Sequence, residues 1–116
     1  MLRPEVLRSK KDFTDIYNKG KSLGDRYVVV FHRENHLDYT RTAFLASKKV
    51  GKSVQRNKAR RLMKESYREL KDFVKPGNDI IIIARNTINQ ATYRQVKKSL
   101  RNALHRGKLL LKETKE

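Results

Sequence analysis

Residues 79–84, DIIIIA, constrain the fold more than any other stretch. A run this short, this apolar and this β-branched, introduced by the KPGND punctuation at 75–79, reads as a buried strand. A buried strand needs a sheet around it and helices over that sheet. Residues 26–33, RYVVVFHR, supply a second strand of β-branched and aromatic side chains. The polar ENHLDY segment then turns the chain, and residues 41–47, RTAFLAS, read as its antiparallel partner. Helices are marked by their ends. Ser9 caps one that runs to about Lys19, with Gly20 as its stop and Phe13, Ile16 and Tyr17 on one side. A longer helix over residues 54–74 follows Gly51. Thr92 and Gln95 form a capping-box pair ahead of a last helix with Val96, Leu100, Ala103 and Leu104 on its apolar side. The order is α-β-β-α-β-α, or α-β-β-β-α-β-α if a short strand lies near Leu23. At 116 residues the expectation is one domain, 1–116, an α/β (α+β) two-layer sandwich with helices over a mixed sheet.

The long helix carries the chemistry. Residues 48–68, KKVGKSVQRNKARRLMKESYR, hold nine lysines and arginines and one acid, Glu65. At about 100° per residue, Ala59, Leu62, Met63, Ser66 and Leu70 fall on one side. Arg56, Asn57, Arg60, Arg61, Lys64 and Arg68 fall on the other. The apolar side must dock on the sheet, so the cations form an outward ridge. Arginine offers a planar fork that fits a phosphate, and Asn57 adds a donor and an acceptor. Lys48, Lys49 and Lys52 bring charge to the start of the helix, where free backbone N–H groups also favour anions. A merely solvated helix would mix signs along its face. The whole chain, with 29 lysines and arginines against 12 acids, has a net charge of +17 and calls for a polyanion. Ala59 and Ser66 make the apolar side too small for membrane insertion, so no membrane partner is expected.

A second patch is aromatic. Phe13 and Tyr17, with Tyr27 and Phe31 at alternate strand positions, are candidates to line an apolar groove on which unpaired bases stack. The competing reading, strongest for Phe13, is that such rings fill the core. Arg94, Lys97, Lys98, Arg101 and Arg106 add a diffuse electrostatic surface. Signs of a protein-borne active site are few. There is no cysteine, hence no disulfide partner, thiolate nucleophile or zinc knuckle. His32, His36 and His105 are dispersed, the carboxylates do not cluster, and no glycine-rich phosphate loop occurs. No signal-like or spanning apolar run is present, and a soluble, cytoplasmic chain is expected. A binder of RNA follows. A ribosomal-type structural RNA-binding protein and a self-sufficient nuclease are the alternatives, the latter opposed by the scattered acids.

The stretch SKKVGKSVQRNKARRLMKE, residues 47–65, resembles the signature of the protein subunit of bacterial ribonuclease P. The likeness extends through KKDFTDIYNKGKS, RYVVVF and NDIIIIAR, from about Ser9 to Leu104. It implies a ribosomal-protein-like RNA-binding fold with a left-handed βαβ crossover, against the usual right-handed rule. It also implies a holoenzyme in which a catalytic RNA subunit, with Mg²⁺, removes the 5′ leader of precursor tRNA. On that resemblance Arg56, Asn57, Arg60, Arg61, Lys64 and Arg68, with Lys48, Lys49 and Lys52, would contact ribonuclease P RNA. Phe13, Tyr17, Arg26, Val28 and Phe31 would hold the precursor leader. No catalytic residue and no metal site are expected on the protein; Asn57 would touch an ion only alongside RNA phosphates. Asp25, where the family usually has asparagine, is expected to add a like charge near a phosphate path.

Overall fold

The computed structural model describes residues 4–111. Helix α1 (Lys10–Lys19) starts where Ser9 Oγ accepts the Asp12 amide at 3.4 Å. It stops at Gly20, whose N–H returns to the Ile16 carbonyl at 2.9 Å. Packing demands the glycine: a Cβ there would stand 2.5 Å from the Ile16 oxygen and 2.6 Å from the His32 oxygen. The chain continues into β1 (Lys21–Gly24), which is the short strand near Leu23, and β2 (Val28–Glu34). β3 (Arg41–Leu45) leads to α2 (Ser53–Leu70), which tightens into a 3₁₀ turn (Lys71–Phe73) before β4 (Asn78–Ala84). A further 3₁₀ turn (Asn86–Gln90) precedes α3 (Tyr93–Arg106). Its Thr92–Gln95 capping box closes in both directions, at 2.9 and 3.2 Å.

The strands lie in the order β1-β2-β4-β3, with β4 antiparallel to β2 and parallel to β3. The RTAFLAS strand is therefore not the antiparallel partner of β2, as its position after a short turn suggested. The isoleucine strand gains most from neighbours on both edges and cover on both faces, so it takes the centre. β3 reaches it through the α2 crossover. Residues 35–40 need only step past one strand, about 10 Å. That link is pinned where it passes β4, by the Asn35 amide on the Gly77 carbonyl (2.9 Å) and Thr40 Oγ1 on the Lys75 carbonyl (2.6 Å).

Alternation along the strands gives the sheet two unlike faces. Val28, Val30, Ile80, Ile82 and Ala84 meet Ala59, Met63 and Leu70 of α2 and Val96, Leu100 and Leu104 of α3, forming the main core. On the opposite face the register sets out three rows: Val29–Ile83–Leu45, Phe31–Ile81–Ala43 and Arg33–Asp79–Arg41. α1 lies on this face. Its Ile16 packs with Ala43, Ile81 and Leu7, and its acids reach the charged row. Asp12 is 3.3 Å from Arg41 and Asp15 is 3.8 Å from Arg33. Arg41 also grips the buried Asp79 through two hydrogen bonds, at 2.8 and 2.6 Å. The Val29–Ile83–Leu45 row stays half-buried at the margin of this cover.

Candidate nucleic-acid interface

The basic ridge is organised by the turn that precedes α2. Val50 is buried and anchors it, and the Asn89 side-chain amide donates to the Val50 carbonyl at 2.5 Å. Gly51 takes φ 143°, which a side chain rarely adopts, and a Cβ there would stand 3.0 Å from the Gln55 side chain. Gln55 Oε1 accepts the Lys52 amide at 3.0 Å and so occupies one helix-end donor. Lys48, Lys49 and Lys52 stand exposed around this turn.

Along α2 the expected segregation holds: Ala59, Met63, Ser66 and Leu70 are buried, and Asn57, Arg61, Lys64 and Arg68 are exposed. The ridge is internally ordered. Arg60 Nη2 donates to Asn57 Oδ1, and Arg56 Nη2 donates to Ser53 Oγ at 3.2 Å. Arg56 is half-buried, and its Nε is enclosed with no hydrogen-bond partner among the described residues. Among those residues none of the nine cations of segment 48–68 forms an ion pair with a carboxylate. The acids of α2 look the other way. Glu69 meets Lys97 of α3 at 2.7 Å. Hydrogen bonds from Lys97 and Tyr93 hold the Glu69 carboxyl below its usual range. Desolvation, the Glu69 hydrogen bond and the negative charges of Glu69 and Glu65 push the Tyr93 hydroxyl up. Glu69 is paired with α3 and the charge of Glu65 acts on Tyr93 of the same helix, so the opposite side of α2 is left uniformly positive.

The aromatic groove lies on the other face of the sheet. Tyr17, 41 % exposed, sets its ring edge-on to Phe31 with centroids 4.9 Å apart, and Phe13 is tilted against Tyr17 at 6.4 Å. These three rings form a wall beside the Val29–Ile83–Leu45 row, which serves as an apolar floor. Two sequence expectations need correction. Val28 has no exposed surface and belongs to the core beneath α3, so its side chain does not line a groove. Alternation puts Val29, not Val28, on the face of Phe31. Tyr27 precedes the strand and turns into the main core, where its amide donates to Ser99 Oγ at 3.1 Å. Counting by twos from Phe31 would have found Val29; Ile83 and Leu45 needed the cross-strand register.

Arg26 is exposed at the end of the sheet nearest that floor, with its guanidinium 5.5 Å from the Tyr27 ring centre. Asp25 does not stand as a free negative charge on a phosphate path. Its carboxylate accepts Ser99 Oγ at 2.7 Å and Arg106 Nη2 at 3.0 Å, which ties the β1–β2 turn to α3. The ridge and the groove are also less separate than expected. A concavity of about 490 Å³ around the edge of β3 is lined by Phe13 and Leu45 together with Lys64, Tyr67 and Arg68.

For a protein-held Mg²⁺ these residues do not fit. The ridge offers a single amide oxygen, Asn57 Oδ1, already capped by the Arg60 guanidinium. Among the described residues no group of three or more His, Cys, Asp or Glu is placed to hold a metal ion.

The sequence and the fold both have close likenesses among characterised proteins. The family model described as Ribonuclease P matches residues 1–108. The ribonuclease P protein component of Clostridioides difficile (strain 630) is 41% identical over 105 residues, covering 90% of this chain and 92% of that one. That of Alkaliphilus metalliredigens (strain QYMF) is 38% identical over 104 residues, covering 90% and 94%. The Staphylococcus aureus RNase P protein superposes with a TM-score of 0.84 at 33% identity, covering 93% of this chain and 99% of that one. The Thermotoga maritima RNase P protein does so with 0.80 at 36% identity, covering 88% and 96%. With the signature helix, the mixed sheet and these likenesses in agreement, this chain belongs to the ribonuclease P protein component family, the protein part of an RNA-containing tRNA-processing enzyme.

Proposed function

We propose that residues 1–116 act as one RNA-binding domain that holds RNA for a catalytic RNA subunit and performs no bond cleavage itself. The α2 ridge, from Lys48, Lys49 and Lys52 through Arg56, Asn57, Arg60, Arg61, Lys64 and Arg68, docks on ribonuclease P RNA. The groove of Phe13, Tyr17 and Phe31 over Val29, Ile83 and Leu45 holds the single-stranded 5′ leader of precursor tRNA, with Arg26 at its end. One observation carries this reading. Cations without carboxylate partners and an open aromatic wall meet around β3, which is what a single strand lying beside a folded RNA requires. Mg²⁺ belongs with the RNA subunit. Because mature tRNA lacks the leader, the groove favours precursor over product, a differential-binding role. No helix among the described residues is long and apolar enough to cross a membrane. The family's part in tRNA processing is what supports a cytoplasmic location.

Cleavage of a 5′-extended tRNA at low Mg²⁺ tests this, with RNA subunit alone, protein alone and both together. Activity confined to the combination, with precursor bound more tightly than mature tRNA, supports the reading. Cleavage by protein alone contradicts it, and no enhancement in any mixture returns the chain to the ribosomal-type binders.

A further inference from the structure

The strongest feature outside these two surfaces is a cavity of about 500 Å³ at the other end of the sheet, where β1 starts, β2 ends and β4 starts. Strand β2 separates it from the Lys48–Lys52 end by about 20 Å of rise. Five cations from four segments line it: Lys19, Lys21, Arg33, Lys75 and Lys108. Among the described residues Glu34 is the one acid in the lining. Among the described residues only Arg33 of the five has a carboxylate partner, the Asp15 contact at 3.8 Å.

Three further observations make this a built site and not a chance cluster. His32 lines the cavity and is 8 % exposed, and while its backbone is held in the sheet its imidazole makes no hydrogen bond among the described residues. Burial and the charge of Lys21 push its imidazole below its usual value, so near neutrality it offers an N–H donor without a charge to desolvate. Second, the only two non-glycine residues with positive φ among those described, His36 at 62° and Lys108 at 59°, both line this cavity. Third, the end of α3 is arranged to permit this. The Leu109 amide returns to the Leu104 carbonyl at 2.9 Å and the Lys108 amide to the His105 carbonyl at 3.0 Å, a helix-ending motif that usually puts glycine where Lys108 stands. Gly107 is instead one residue earlier, because a Cβ there would lie 3.0 Å from Leu23 Cδ2 and 3.3 Å from His32 Nε2. The glycine keeps the floor open over His32, and a lysine takes the strained angle at the rim. Strain of this kind gathers where a site needs it.

We propose that this cavity binds a phosphate group of an RNA backbone, as a second phosphate site at the end of the sheet opposite the α2 turn. Arg33 points to RNA rather than a free phosphate compound. It stands one row beyond Phe31 on the groove face, so the cavity opens where the aromatic wall ends and a strand leaving that wall meets it. The proposal rests on the RNA-binding reading and adds a site to it.

The test follows the His32, Gly107 and Lys108 resonances of the full chain by NMR while inorganic phosphate is added, then a short single-stranded RNA with unphosphorylated ends. Saturable shifts at those three residues, displaced by the RNA, are expected. The double variant Lys21→Gln/Lys108→Gly should weaken phosphate binding at least tenfold with a melting temperature unchanged or raised, since glycine accepts the angle at position 108 and two like charges are removed. Its RNA binding should lose about 0.7 in salt slope for each phosphate contact removed. Linear, non-saturating shifts, or saturation that RNA fails to displace, overturn the proposal. RNA bound in an Arg61-dependent manner with His32 undisturbed overturns this site alone; no RNA binding at all overturns the broader reading with it.

Discussion

Arg56 illustrates how one residue divides between stability and function. Its Nε is enclosed without a partner among the described residues, which costs a folded protein about 1–3 kcal/mol, while its Nη groups reach the ridge. Arg56→Met, similar in length and free of that donor, should leave thermal stability unchanged or raised. It should also weaken binding to ribonuclease P RNA by at least several-fold, read by melting and by filter binding on the same preparation. Tyr17 tests the other surface. Tyr17→Ala should reduce affinity for leader-bearing precursor by about 1–3 kcal/mol per base it stacks, leaving affinity for mature tRNA nearly unchanged. Equal losses for both RNAs would remove Tyr17 from the groove. Phe13 is the less clean probe, because it shares a concavity with Lys64 and Arg68 and its loss should disturb both kinds of contact. The ridge residues were readable from the helix period alone. Val28 came in with the family resemblance; strand alternation counted from Phe31 already puts Val29, and not Val28, on that face.

At the scale of elements, what matters is how α1 is fixed over half of one sheet face. Arg41 is the fastener: it grips Asp79 in bidentate fashion and meets Asp12 of α1, while Asn35 donates to the same Asp79 at 2.9 Å. Arg41→Ala would leave the buried Asp79 carboxylate without its cation, a change worth about 3–5 kcal/mol. Urea unfolding should show that loss. Precursor affinity should fall as well, because Phe13 and Tyr17 ride on the helix that Arg41 holds. A loss of stability below about 1 kcal/mol would show that Arg41 is a surface pair only. The caps of α1 and α3 were legible because a few adjacent residues close them. The partnering of β3 was not, since proximity in sequence favoured β2 while the demand of the isoleucine strand for two neighbours prevailed.

For the whole molecule, the net charge of +17 sets two responses against each other. Self-repulsion weakens the folded state at low salt, and on the proposed reading the same cations should bind RNA most tightly there. Raising sodium chloride from about 20 to 200 mM, a range over which the Debye length contracts from roughly 20 to 7 Å, should raise the melting temperature and lower RNA affinity together. Movement of both in the same direction would mean that the repulsion is already relieved within the fold.

The sequence by itself determined the three helices and strands β2, β3 and β4, leaving β1 only as an option, together with the apolar side of each helix, the basic ridge and the need for a polyanion, because these follow from local period, caps and charge within one turn or strand. The tertiary structure alone decided that β4 sits between β2 and β3, that Val29, Ile83 and Leu45 form one floor, and that Asp25 is tied to α3. It also decided that cations from four segments converge beside His32. Each of these depends on which strands become neighbours. That choice is made by the burial of the whole sheet, and no short stretch of chain carries it.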